Sequence, residues 1–124
     1  MGKPAPDSLP GHSLIPYLKG GPLPNDHVFI EWNPSGRRNA PHSIPKISEN
    51  AVENAGNASI RTVLSPEGWK LCWSDLDRSQ LFDLNTDPYE TTNLIDQKQY
   101  SSTIKRLQNK IQEWQKLSKD SLVL

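Results

Sequence analysis

The sequence predicts an α+β fold: a four-stranded antiparallel sheet with one C-terminal amphipathic helix packed on it, preceded by a Pro-rich arm and a short helical turn. Two observations predict it. Four short runs rich in β-branched and aromatic residues occur in order, and the last three are too closely spaced for a crossover helix, so they pair as antiparallel neighbours. After them, Tyr100, Ile104, Leu107, Ile111 and Trp114 recur at alternating spacings of four and three, an apolar stripe along one helix face.

Taken in order, residues 1–26 read as an arm rich in proline and glycine. Within it, Gly11 to Gly20 brackets a single apolar turn of helix, with Leu14, Tyr17 and Leu18 on one side as an expected packing staple. Residues 27–124 form the main unit. His27 to Trp32 is the first strand. Residues 33–57 then read as one long polar loop broken by Pro34, Gly36, Pro41, Pro45 and Gly56. Ser59 to Ser65 and Trp69 to Ser74 form a hairpin closed by Pro66-Glu67-Gly68, where proline pre-sets the turn and glycine accepts a positive φ. Gln80 to Leu84 is the last strand. The helix follows over about residues 97–117, with Asp96 and Gln99 spaced as a capping box and Lys116 and Lys119 suited to its C-terminal end.

Composition narrows the function. A chain of 124 residues holds one domain at most. Its net charge of +0 favours neither nucleic acid nor an anionic membrane. No run approaches the ~18 apolar residues that span a bilayer. The first residues, Met1 to Pro6, lack the apolar core of a signal peptide, so the chain itself does not indicate a location. With Cys72 the single cysteine, no intramolecular disulfide is available, and a structural thiol is expected. The hydrophobic share of 34% is low for a compact domain, so a self-sufficient core would be small. Asn57-Ala58-Ser59 has the form of a glycosylation sequon.

Three segments resemble sulfatases. Leu81-Phe82-Asp83-Leu84, Asp87-Pro88, Glu90 and Asn93-Leu94 resemble the strand-turn-helix ending of that family. Gly11, Ser13, Leu14, Pro16, Leu18 and Gly20 resemble its Gly-x-Ser-Leu-x-Pro-x-Leu-x-Gly element, with Pro10 where an Asp is usual. Arg61-Thr62 and Lys70 resemble its Arg-Thr…Lys-Tyr hairpin, with Leu71 where an aromatic is common. The loop of residues 33–57 has no counterpart.

The resemblance implies the C-terminal subdomain of an enzyme similar in fold to alkaline phosphatases that hydrolyses sulfate esters. The family's nucleophile is a formylglycine made from Cys or Ser within Cys/Ser-x-Pro-x-Arg, beside a calcium ion. No such motif occurs here, and Cys72 lacks the required Pro and Arg. No catalytic residue, metal site or cofactor is therefore assigned to this chain. Asp75, Asp77 and Arg78 lack the glycine and terminal Glu of a calcium loop, and Asp83, Asp87 and Glu90 read as anchors of the turn and helix entry. The implied partner is an N-terminal sulfatase catalytic domain, through which alone the chain would meet a sulfate ester. The parent family is often secreted, periplasmic or lysosomal. Arg37, Arg38 and His42 are candidate substrate-rim residues because cations suit an anionic ester; a solvated basic loop is the alternative.

Strand periodicity adds an expectation about the sheet. Val28, Ile30 and Trp32 alternate with Phe29; Trp69, Leu71 and Trp73 with Cys72; and Phe82 and Leu84 with Leu81. One helix covers one face, so Phe29, Cys72 and Leu81 are expected on a second face. A missing domain or the arm from Leu9 to Leu23 would cover it. Two other classes fit the composition: a carbohydrate-binding module, if Trp32, Trp69 and Trp73 share an open face, or a protein-binding module built on the basic helix. Because neither nucleophile motif nor calcium cage is present, the purified chain should not hydrolyse a chromogenic aryl sulfate above a heat-treated control. Activity that survives repurification would overturn that expectation.

Overall fold

The computed structural model describes residues 13–22, 26–34 and 48–124. Its centre is a meander of four antiparallel strands in sequence order: β1 (Val28–Trp32), β2 (Ile60–Leu64), β3 (Trp69–Ser74) and β4 (Gln80–Asp83). A short helical turn, α1 (Ile15–Leu18), precedes the sheet, and α2 (Glu49–Asn57) lies between β1 and β2. A 3-10 turn (Lys98–Tyr100) leads into the long terminal helix α3 (Ser101–Ser118).

The β2–β3 hairpin closes as its residues dictate. Ser65 N–H donates to Trp69 O at 2.8 Å and Gly68 N–H to Ser65 O at 3.0 Å. Gly68 sits at φ +88, and a Cβ there would meet the Asn85 side chain at 2.5 Å. Only glycine meets both demands.

Register decides which side chains meet the helix. Phe29 pairs with Val63, Val63 with Leu71, and Leu71 with Leu81, so one row crosses all four strands. Val63, Leu71 and Leu81 are buried against Leu107 and Ile111 of α3, and these five make the core. Phe29 stacks on Trp114 with ring centroids 5.4 Å apart, and Trp69 packs against Tyr100 at 5.3 Å. The apolar stripe of the helix thus covers the sheet as expected.

This register reverses the expected faces at two strands. Phe29 and Leu81 lie on the helix side, whereas Val28, Ile30, Trp32 and Phe82 lie on the outer side with Cys72. Alternation alone puts the larger apolar set of each strand inward, but cross-strand pairing sets orientation, and a single position of offset inverts a strand. The tryptophans consequently do not share a face: Trp69 and Trp73 pack toward the core and Trp32 is exposed on the outer side.

Three further expectations are corrected. Residues 33–57 are not all loop, because α2 forms with Ser48 as its N-cap, its hydroxyl accepting from Ala51 N–H at 3.3 Å. The Asp96/Gln99 capping box does not form: Asp96 pairs with Arg78, and Gln99 bonds Gln97. The 3-10 turn satisfies the helix entry instead. Finally, α1 is not a packing staple, since Leu14, Ile15, Tyr17 and Leu18 are all exposed. Leu107 is fully buried, so Leu107→Ala should cost about 2–5 kcal/mol, read as a lower denaturation midpoint with an unchanged m-value; a loss below about 0.5 kcal/mol would place the stripe outside the core.

Candidate functional site

The rim candidates Arg37, Arg38 and His42 lie outside the described residues. Among the described residues, no group of three His, Cys, Asp or Glu gathers as a metal would require, and no helix is long and apolar enough to cross a membrane. What stands out is a surface. Val28, Ile30 and Trp32 alternate along β1, all on the face opposite α3, and are 55%, 51% and 53% exposed. Leu64 and Cys72 continue that face, half-buried. The described part of the arm does not cover it, since residues 13–20 are themselves exposed.

The segment after β4 is held by a chain of side-chain anchors. The Asp87 carboxylate accepts from Thr91 Oγ1 at 3.0 Å and Thr92 N–H at 2.9 Å. The backbone N–H groups of Thr91 and Thr92, and then the Thr91 hydroxyl, hold its carboxyl below the usual range. Asn93 uses both ends of its amide: Oδ1 accepts from Leu81 N–H at 3.0 Å, and Nδ2 donates to Ser79 O at 3.1 Å. Leu94 N–H donates to Leu81 O at 2.9 Å, so this segment covers the β4 edge. Glu90 takes the left-handed conformation, φ 56, that disfavours a side chain. Its carboxylate receives Lys70 Nζ at 2.8 and 2.7 Å, an ion pair that crosses the outer face and offsets that strain. The acids read from sequence as turn and helix-entry anchors do serve as turn anchors here.

A second anchor was not legible in the sequence. Arg61, in the middle of the sheet, reaches the segment after α3. Its Nε donates to Asp120 Oδ2 at 2.7 Å and Nη2 to Oδ1 at 2.9 Å. Its Nη1 faces Trp32 O, Asn33 Oδ1 and Ile60 O at 3.0–3.2 Å. Glu31 lies 3.5 Å from Nη2. Lys119, at φ 58, turns the chain so that Asp120 reaches this pair, and Gln115 Nε2 braces Asp120 and Leu122 O at 2.9 Å. The guanidinium holds the Asp120 carboxyl far below the usual carboxylate range, and Asp120 in turn raises Arg61. With its donors committed, Arg61 is a clasp and offers no free fork to a sulfate.

The chain is similar to a 2-O GAG sulfatase, with a TM-score of 0.70 and 23% identity over 96% of this chain. It matches a putative sulfatase from Bacteroides thetaiotaomicron with a TM-score of 0.71 and 23% identity, again over 96%. The chain has the fold of one part of a sulfatase. A third match, a protein solved with its substrate D-glucosamine-2-N,6-O-disulfate, has a TM-score of 0.67 and 22% identity over 97% of the chain. In each case the chain spans only 22% of the solved chain's length, which fits a C-terminal portion of a sulfatase. No family model and no curated protein sequence matches it.

The clasp makes a pH-dependent prediction. Replacing Asp120 by Asn leaves the buried Arg61 charge without its main partner and should cost about 3 kcal/mol at pH 7. Because the folded-state pKa of Asp120 is depressed, its contribution is present above the unfolded value of about 3.9 and fades as pH falls below it. The difference between the two proteins should therefore shrink progressively as pH falls below about 4, towards the strongly depressed folded-state value of Asp120. A gap that stays constant with pH would remove Asp120 ionisation as its source.

Proposed function

We propose that this chain is the C-terminal portion of a sulfatase, a sulfuric ester hydrolase, and completes the fold and substrate rim of a catalytic domain that the 124 residues do not contain. The observation that carries the reading is the fold likeness, which covers 96–97% of this chain and 22% of each solved chain. The open apolar face of β1 supports it, since contiguous exposed apolar surface marks an interaction site. The catalytic domain would cover Val28, Ile30 and Trp32.

On this reading the chain contributes structure and not the reaction centre. The formylglycine nucleophile and the calcium ion belong to the other domain, which polarises the ester and neutralises the sulfate oxygens. Arg37, Arg38 and His42 are proposed to extend toward the anionic substrate from the rim. The anchored segment from Asp87 to Leu94 and the Arg61–Asp120 clasp fix the chain around the sheet and beyond α3, so docking orders little further chain.

The coding sequence ahead of Met1 tests this directly. Read in frame, it should encode a Cys/Ser-x-Pro-x-Arg motif, and its absence would overturn the reading. The encoded catalytic portion, co-expressed, should co-purify with the chain. Ile30→Asp, which sets a charge in the covered face, should lower that recovery about tenfold or more, the equivalent of ~1.4 kcal/mol, without changing the far-UV circular dichroism.

A further inference from the structure

The two edges of the sheet are treated differently. The β4 edge is covered, because Leu94 N–H and Asn93 Oδ1 occupy Leu81 O and N–H. The β1 edge carries no comparable cover among the described residues. Exposed edges in proteins are normally blunted by lysine, proline or a bulge. β1 reads Val-Phe-Ile-Glu-Trp and pairs with β2 at five consecutive positions, so it has none of these. Its one charge, Glu31, lies 3.5 Å from Arg61.

The hydrogen-bond parity of this edge follows from the hairpin. Ser65 N–H donates to Trp69 O, so Ser65, Val63 and Arg61 direct their backbone groups toward β3. By alternation, Ile60, Thr62 and Leu64 direct theirs toward β1, where their partners are Trp32, Ile30 and Val28. The N–H and C=O groups of Phe29 and Glu31 therefore point off the open edge: two donors and two acceptors, symmetric about Ile30.

We infer that the β1 edge pairs with β1 of a second copy of this chain, antiparallel and about a two-fold axis at Ile30, to form a continuous eight-stranded sheet. In that register Phe29 of one copy exchanges both backbone hydrogen bonds with Glu31 of the other. Ile30 lies opposite Ile30 at a non-hydrogen-bonded position, where side chains are closest. Val28 lies opposite Trp32, so the exposed apolar rows of the two outer faces match along their whole length. The self-complementary register is what selects a second copy. The inference stands apart from the sulfatase reading, because pairing uses the edge of the sheet, whereas the proposed catalytic domain would lie on its face.

Symmetric disulfide trapping in the full chain tests the register, with Cys72→Ser to remove the native thiol. Opposed non-hydrogen-bonded residues have Cα atoms about 4.5 Å apart, within disulfide range. Ile30→Cys should cross-link to a dimer on mild oxidation. Val28→Cys should not, since two Val28 positions would be about 14 Å apart along the pair. Equal cross-linking at both sites would mean unspecific apolar association and would overturn the inference. Sedimentation of the unsubstituted chain decides the matter independently. A concentration-dependent dimer that Ile30→Lys converts to monomer supports the pairing, and a monomer at the highest soluble concentration overturns it. Failure here leaves the upstream-motif test untouched, so the two proposals fail separately.

Discussion

Everything in this fold depends on a single seam of apolar contact. Phe29, Val63, Leu71 and Leu81 form one row across the sheet, and α3 lies on it through Leu107, Ile111 and Trp114. A helix has one stripe to bury and a sheet has two faces, so the layer count leaves one face unmatched. In β2, β3 and β4 several outer positions are polar or buried, as with Thr62, Ser74 and Phe82, and Ile60 and Leu64 are half-buried. In β1 they are Val28, Ile30 and Trp32, and they stay open.

Around the seam, polar anchors hold the flanking segments in addition to the packing of Leu94, Ile95 and Leu124 on the core. Asp87 and Asn93 organise the segment that returns from β4 to the helix, and Lys70 holds Glu90 in a conformation its side chain disfavours. Arg61 binds the segment beyond α3 by spanning the sheet to Asp120. Because these anchors engage backbone groups as well as side chains, they satisfy donors and acceptors that the small core leaves uncovered. A modest hydrophobic content is thereby compatible with an ordered periphery.

That arrangement bears on function through shape. The resemblance read from Leu81 to Leu94 corresponds to a physical device, in which Asp87 and Asn93 hold backbone groups of Thr92, Leu81 and Ser79 while Glu90 pairs with Lys70. A similar fold occupies about a fifth of each solved chain it matches, two of them described as sulfatases, so the likeness is one of fold in part of a longer chain. The chemistry-bearing residues proposed for the rim belong to a polar segment, and the open face and open edge of β1 are what the described residues present to a partner.

Sequence alone determined the elements whose signal is local. The strands, the Pro66-Glu67-Gly68 turn and the α3 stripe each rest on residues within one segment, where periodicity and turn chemistry act without distant partners. It missed α2, which lies inside a stretch whose prolines and glycines read as one long loop. Tertiary structure alone decided the faces of β1 and β4 and the partner of Arg61. Alternation tells which residues share a face but not which face is inward; only cross-strand register, set by hydrogen bonds between segments far apart in the chain, makes that choice. The same holds for Asp120, 59 positions from Arg61. A pairing over that distance leaves no periodic trace, because it depends on where the folded sheet and helix bring two charges together.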